Sequence, residues 1–166
     1  MEMERIKARY RKLVFFTWFL TLDLIMFGSF TRLTDSGLGC PDWPGCYGHS
    51  NPHAAMEPIR AAETALPSGP VTLMKAWIEM IHRYFAMAVG VLIISLMVLA
   101  RVRRRDLRQS PWFATGVFVL VCVQGAFGML TVTMKLQAII VVTHLLLAMA
   151  LLGSLIWPGS RNDPPH

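Results

Sequence analysis

Four apolar stretches, roughly residues 13–33, 79–100, 112–133 and 137–157, take up most of this chain. Each is near the ~20 residues an α-helix needs to cross a bilayer. Lipid offers the backbone no hydrogen-bond partners, so a spanning segment must satisfy its own, as a helix. A soluble protein can bury one such helix, but four would need far more polar sequence to cover them. Here 54% of the 166 residues are hydrophobic and only 16% are charged. The pattern predicts an all-α integral membrane protein, a four-transmembrane-helix bundle forming one domain over residues 1–157. A disordered, proline-bearing tail is expected at 158–166. The first segment does not read as a cleavable signal peptide, because its apolar run is too long and no small-x-small site follows it.

Charge sets the expected orientation. Arg5, Lys7, Arg9, Arg11 and Lys12 precede the first segment, Arg101, Arg103, Arg104, Arg105 and Arg108 crowd the link between the second and third, and Arg161 follows the fourth. The opposite side carries only the scattered Arg32, Arg60, Lys75, Arg83 and Lys135. The positive-inside rule then puts both termini in the cytoplasm and the long loop between helices one and two, about 34–76, outside. In a bacterium this is the cell inner membrane, with the loop on the periplasmic side. The net charge of +6 follows from topology and contact with anionic lipid, and calls for no nucleic acid.

The outer loop opens with Cys40-Pro41-Asp42-Trp43-Pro44-Gly45-Cys46. Two cysteines six apart, with two prolines and a glycine between them, suit a tight disulfide-closed turn in an oxidising compartment. Two free thiols are the alternative. His49 and His53 follow in the same loop, and with the cysteines they make a zinc site conceivable, although the spacing fits no common zinc pattern. Cys122, inside the third segment, and the eleven methionines read as packing residues.

The polar residues inside the helices carry the chemistry. Glu79-Met80-Ile81-His82-Arg83 opens the second segment, and His144 lies just inside the fourth. His82 is five residues past Trp77 and His144 seven past Gln137. At ~1.5 Å per residue their depths differ by about one turn. Histidine is costly in lipid. Two imidazoles at one level of a helical bundle are what an axially ligated haem requires. An interhelical hydrogen bond from each histidine is the simpler alternative. Glu79 shares a helical face with His82 and could orient the imidazole or act as a base, and with Arg83 it could instead form an i,i+4 ion pair. Arg83 and Arg32 are both candidates for a haem propionate, since guanidinium suits carboxylates. Arg32 could equally be a snorkelling anchor. Asp23 sits mid-segment with no evident partner. Gln124, Gly125 and Gly128 read as a close helix contact with a polar interhelical bond. No internal repeat is obvious.

These motifs resemble the haem A synthase family. The resemblance rests on Thr31-Arg32-Leu33-Thr34-Asp35-Ser36-Gly37-Leu38, then the Cys40–Cys46 segment, then Glu79-x-x-His82-Arg83, with His144 on the fourth helix. It covers roughly residues 13–157. It implies a membrane oxidoreductase of respiratory-oxidase assembly that converts haem O to haem A by oxidising a porphyrin methyl to a formyl group. It further implies His82 and His144 as axial haem-iron ligands, Glu79 as the catalytic acidic residue, and Cys40 with Cys46 as a loop disulfide with a possible part in electron transfer. The haem would be a haem b cofactor, the substrate haem O, or both, and haem O synthase is an implied partner.

Family members carry eight helices in two similar halves, whereas four are present here. Three expectations follow from this: a truncated gene product, a half-length form that pairs with itself, or a chain that needs a separate second half. Two other functions compete with the synthase. One is a non-enzymatic haem-binding electron-transfer or carrier subunit. The other is a quinone-linked thiol oxidase, which would need a second outer cysteine pair that this chain lacks.

Overall fold

The computed structural model describes residues 2–107 and 110–160, so Arg108 and Arg161 of the basic clusters lie outside the described residues. The described chain is helical: α1 (Glu2–Leu33), α2 (Met56–Ala65), α3 (Leu73–Val102), α4 (Arg104–Leu107), α5 (Pro111–Thr133) and α6 (Ala138–Ser160). Four of these, α1, α3, α5 and α6, are long and apolar enough to cross a membrane.

The spans match the four expected stretches but begin earlier or end later. α1 starts at Glu2 because nothing in its basic leader breaks a helix. Glu2 and Glu4 occupy the favourable first turn, and Lys7 pairs with Glu4 at 3.1 Å. α3 starts at Leu73, where Thr72 caps it by accepting a hydrogen bond from the Lys75 N–H at 3.2 Å. Pro111 begins α5 at the one place where its missing N–H costs nothing. α6 continues to Ser160, past the expected end at 157, and the rest of the expected tail, 161–166, lies outside the described residues. The loop helix α2 carries its apolar face inward through Ile59, which is fully buried.

α1 packs against α3 and α6, and α5 packs against the same two. The bundle is therefore square in section, with α1 and α5 on one diagonal and α3 and α6 on the other. Only 11–22% of each span's apolar window is buried, so most of the apolar surface faces outward, through residues such as Phe16, Met26, Val91, Ile139 and Leu146. That surface suits lipid and not water, and the protein is a multi-pass membrane protein. Inside, hydroxyls satisfy themselves: Thr17 and Thr21 donate to the carbonyls of Leu13 and Thr17, each at 2.7 Å.

Two packed layers hold the bundle. Near the arginine-rich link, Tyr10, Val14, Ile93, Leu96, Val117 and Leu155 close the interior. At the other end, Cys40, Cys46, Ile59, Ala76 and Met80 pack the loop onto α3. On α3, His82 lies between Met80 of one layer and Val89 of the other, and on α6 His144 precedes Leu151 and Leu155.

Ile93 is 1% exposed, whereas its neighbour Ile94 is 44% exposed on the outward face. Ile93→Ala should cost about 2–4 kcal/mol of stability in detergent, and Ile94→Ala under about 1 kcal/mol. Denaturant titration of helical circular dichroism checks the difference.

Candidate functional site

The loop segment from Cys40 to Ser50 is tied down by the mouth of α3. Cys40 and Cys46 form a disulfide. Cys46 and His49 exchange backbone hydrogen bonds of 2.8 and 3.0 Å across a tight turn, with Tyr47 and Gly48 both at positive φ. The Asp42 carboxylate accepts from the N–H groups of Tyr47 and Gly48 at 2.6 and 2.7 Å. Partial burial, and then the Asp42 charge, push the Tyr47 phenol above its ordinary range. The Tyr84 hydroxyl of α3 donates to the Ser50 carbonyl at 2.6 Å.

Glu79 and Arg83 make the clamp. They form a buried ion pair one helical turn apart, the i,i+4 alternative left open by the sequence. Glu79 Oε2 accepts from the Cys40 N–H at 2.8 Å. The Arg83 guanidinium donates to the carbonyls of Cys40, Asp42, Pro44 and Gly45. A buried charge needs this many partners, because its desolvation is repaid only when most of its donors are used. Gly39 fits against the start of α3, where a Cβ would meet the Lys75 carbonyl carbon at 2.6 Å.

The two histidines face the bundle interior from opposite corners, His82 on α3 and His144 on α6. The Nδ1 of each is buried without a hydrogen-bond partner. The hydrogen-bonding alternative is thus absent at these nitrogens. Each ring also lies over a glycine of an adjacent helix. A Cβ at Gly28 of α1 would stand 2.9 Å from His82 Cε1, and one at Gly128 of α5 would stand 3.3 Å from His144 Cε1. Phe27 stacks on His82, with ring centroids 6.3 Å apart and planes at 19°.

Other expected residues fall elsewhere. Arg32 is exposed at the end of α1 and pairs loosely with Asp35 at 3.6 Å. It sits one turn beyond Gly28, on the helical face that meets His82. Asp23 is half-buried and makes no hydrogen bond or ion pair among the described residues. Gly125 is not a close helix contact, since nothing lies within 4 Å of where its Cβ would be. Cys122 is exposed, not packed inside, because it shares the outward face of α5 with Val119 and Val123. Gln124 Oε1 is buried without a partner, so the expected interhelical bond from its carbonyl oxygen is absent. His49 and His53 are exposed in the loop.

The glycines under the histidines come from a repeat that the sequence hid. Phe27-Gly28-x-Phe30-Thr31 on α1 corresponds to Phe127-Gly128-x-Leu130-Thr131 on α5. His82-x-x-Phe85-Ala86-Met87 on α3 corresponds to His144-x-x-Leu147-Ala148-Met149 on α6. Both first helices end in the same cap. The Thr31 carbonyl accepts from Ser36 N–H at 2.9 Å and the Thr131 carbonyl from Leu136 N–H at 2.8 Å, with Asp35 and Lys135 both at φ 50°. The spacing between glycine and histidine differs because a long loop joins α1 to α3 and a short link joins α5 to α6. No fixed period therefore survives in the sequence.

A profile of the family described as cytochrome oxidase assembly protein, COX15-CtaA, matches residues 11–165. The chain belongs to this family. It is similar to a heme A synthase of Shewanella oneidensis, at 41% identity over 89% of this chain and 46% of the relative. It is also similar to heme A synthases of Rhizorhabdus wittichii, at 29% over 83% of this chain and 45% of the relative, and of Lysinibacillus sphaericus, at 31% over 78% and 37%. The chain thus spans about half the length of these relatives, or less. No solved structure matches.

Two imidazoles on diagonal helices, each with a buried Nδ1 that makes no hydrogen bond, fit an iron that brings its own equatorial ligands. Among the described residues no cluster of three or more His, Cys, Asp or Glu side chains could hold a bare ion, and the disulfide occupies both loop thiols. A porphyrin would supply the missing donors.

Arg83→Leu should strand the Glu79 carboxylate and cost about 3–5 kcal/mol. Arg83→Leu with Glu79→Leu should recover part of that loss. Limited proteolysis between residues 47 and 72 reads the release of the loop in each variant.

Proposed function

We propose that this four-helix unit holds one haem between His82 and His144 and serves in converting haem O to haem A, a porphyrin methyl being oxidised to a formyl group. The observation that carries this reading is the pair of imidazoles at opposite corners of the bundle whose buried Nδ1 atoms make no hydrogen bond. The synthase relatives support the chemistry.

The bound haem supplies a redox-active iron and an oxidisable or electron-relaying macrocycle. The chain's own groups do the rest. His82 and His144 offer axial nitrogens, and Phe27 limits the tilt of the His82 ring. Arg32, exposed one turn beyond Gly28 toward the loop, is the guanidinium available for a propionate. Arg83 serves the same group only if it gives up loop carbonyls, so its part is chiefly to hold the Cys40–Cys46 loop. Glu79 lies one turn before His82, and it becomes a catalytic base only when its bonds to Arg83 and the Cys40 N–H loosen. The Cys40–Cys46 disulfide is attached through that same carboxylate, which gives it a route to influence the site.

The basic clusters at the α1 leader and the α3–α5 link support a placement with both termini cytoplasmic and the disulfide loop on the periplasmic side of the inner membrane. Haem O synthase is the partner class that would supply the substrate. A second copy of this chain, or a separate second half, would supply a second haem site. Whether the haem held here is haem O or haem b fixes whether this unit turns over substrate or relays electrons.

A second reading is favoured by one observation: Glu79 is fully engaged in the clamp. In that reading the unit is a haem-binding electron-transfer or carrier subunit. The tests separate them. Purified full-length chain titrated with ferric haem b should give a low-spin Soret band that His82→Ala and His144→Ala each abolish. A band unchanged in both variants would falsify the ligand assignment. Pigment extraction from a host that makes haem O should then yield haem A under the first reading and none under the second.

A further inference from the structure

We propose that Gly28 and Gly128 are matched positioning residues, the bare helix floors on which the two imidazoles rest so that both can address one haem. The inference deepens the haem reading above and rests on it. Each glycine lies on a helix adjacent to its histidine, Gly28 beside His82 and Gly128 beside His144, so the four residues use all four spans of the bundle. A Cβ at Gly28 would come within 2.9 Å of a ring atom, a contact that real side chains do not make, so the His82 ring would have to move. At Gly128 the corresponding distance is 3.3 Å, and the ring would have to give by a few tenths of an ångström.

The likeness of the two contacts is not confined to the glycines. The residue before each is phenylalanine, each helix ends two residues beyond its threonine in the same hydrogen-bonded cap, and the caps themselves meet. Gly37, next to Ser36, would bring a Cβ to 3.3 Å from Leu136 Cδ2. The caps fix how far each glycine lies from the loop end of its helix. The two hairpins, α1 with α3 and α5 with α6, thereby set their histidines against corresponding glycines. The halves differ in what surrounds that shared geometry. Gln124 lies one turn before Gly128, whereas Leu24 lies one turn before Gly28; Arg32 follows Gly28, whereas Val132 follows Gly128. Ring placement is common to the two hairpins, and polarity is particular to each.

Other glycines of the same helices provide controls. Nothing lies within 4 Å of a Cβ at Gly90 of α3 or Gly125 of α5. Gly28→Ala, Gly128→Ala, Gly90→Ala and Gly125→Ala, each in the full chain, would be titrated with ferric haem b and their low-spin electron paramagnetic resonance spectra compared. Gly28→Ala should weaken haem binding about tenfold or more and shift the g values that report axial imidazole orientation, Gly128→Ala should do the same to a smaller degree, and both controls should match the unsubstituted chain. Circular dichroism and an intact disulfide would confirm that each variant folds. Should Gly28→Ala not fold, the milder Gly128→Ala decides. Wild-type affinity and g values in folded Gly28→Ala and Gly128→Ala, or an equal disturbance in Gly125→Ala, would overturn the inference while leaving the haem reading intact. No haem band in the unsubstituted chain would overturn both.

Discussion

Lipid supplies no hydrogen-bond partner, and the interior of this molecule is organised by that lack. Thr17 and Thr21 bond to their own helix. A strongly buried ion pair, Glu79 with Arg83, is surrounded by loop main chain until its donors and acceptors are used. Against this background the partnerless groups stand out. They are Trp18 Nε1, Gln124 Oε1 and the Nδ1 atoms of His82 and His144. Of these, only the two histidines are alike, one on each of the diagonal helices α3 and α6.

The clamp and the histidine pair share a helix, and their proximity has a mechanical meaning. Glu79 and His82 are three residues apart on α3, while Arg83 and Glu79 reach up to the carbonyls and N–H of the disulfide loop. The state of the loop is therefore transmitted to the first turns of α3 through charged hydrogen bonds, which are the stronger kind. Met80, buried between them, packs the same turn against Cys40 and Cys46.

Much of this was legible in the sequence, and the failures are instructive. The four spans, the disulfide segment and the two histidines were readable because hydropathy, cysteine spacing and the cost of a membrane imidazole are local signals. The extension of α1 to Glu2 carries no hydropathy signal, because the leader from Arg5 to Lys12 is basic, while nothing in it breaks a helix. Glu79 and Arg83 were ambiguous, since an i,i+4 pair and a pair of ligand-facing groups have the same spacing. Only the folded loop, whose carbonyls converge on Arg83, decides where that guanidinium is engaged. Gly125 and Gly128 looked alike in sequence, yet only one faces the interior. The repeat of the two hairpins leaves no period in the sequence because the loops that join them are unequal.

The central claim is that one iron is held by both His82 and His144. Near-infrared magnetic circular dichroism of the full chain reconstituted with ferric haem b tests it most directly, because the low-spin charge-transfer band identifies the axial ligands. The account predicts a bis-imidazole band in the unsubstituted chain and its loss in both His82→Ala and His144→Ala. A high-spin spectrum in the unsubstituted chain, or a bis-imidazole band that survives either substitution, would contradict it.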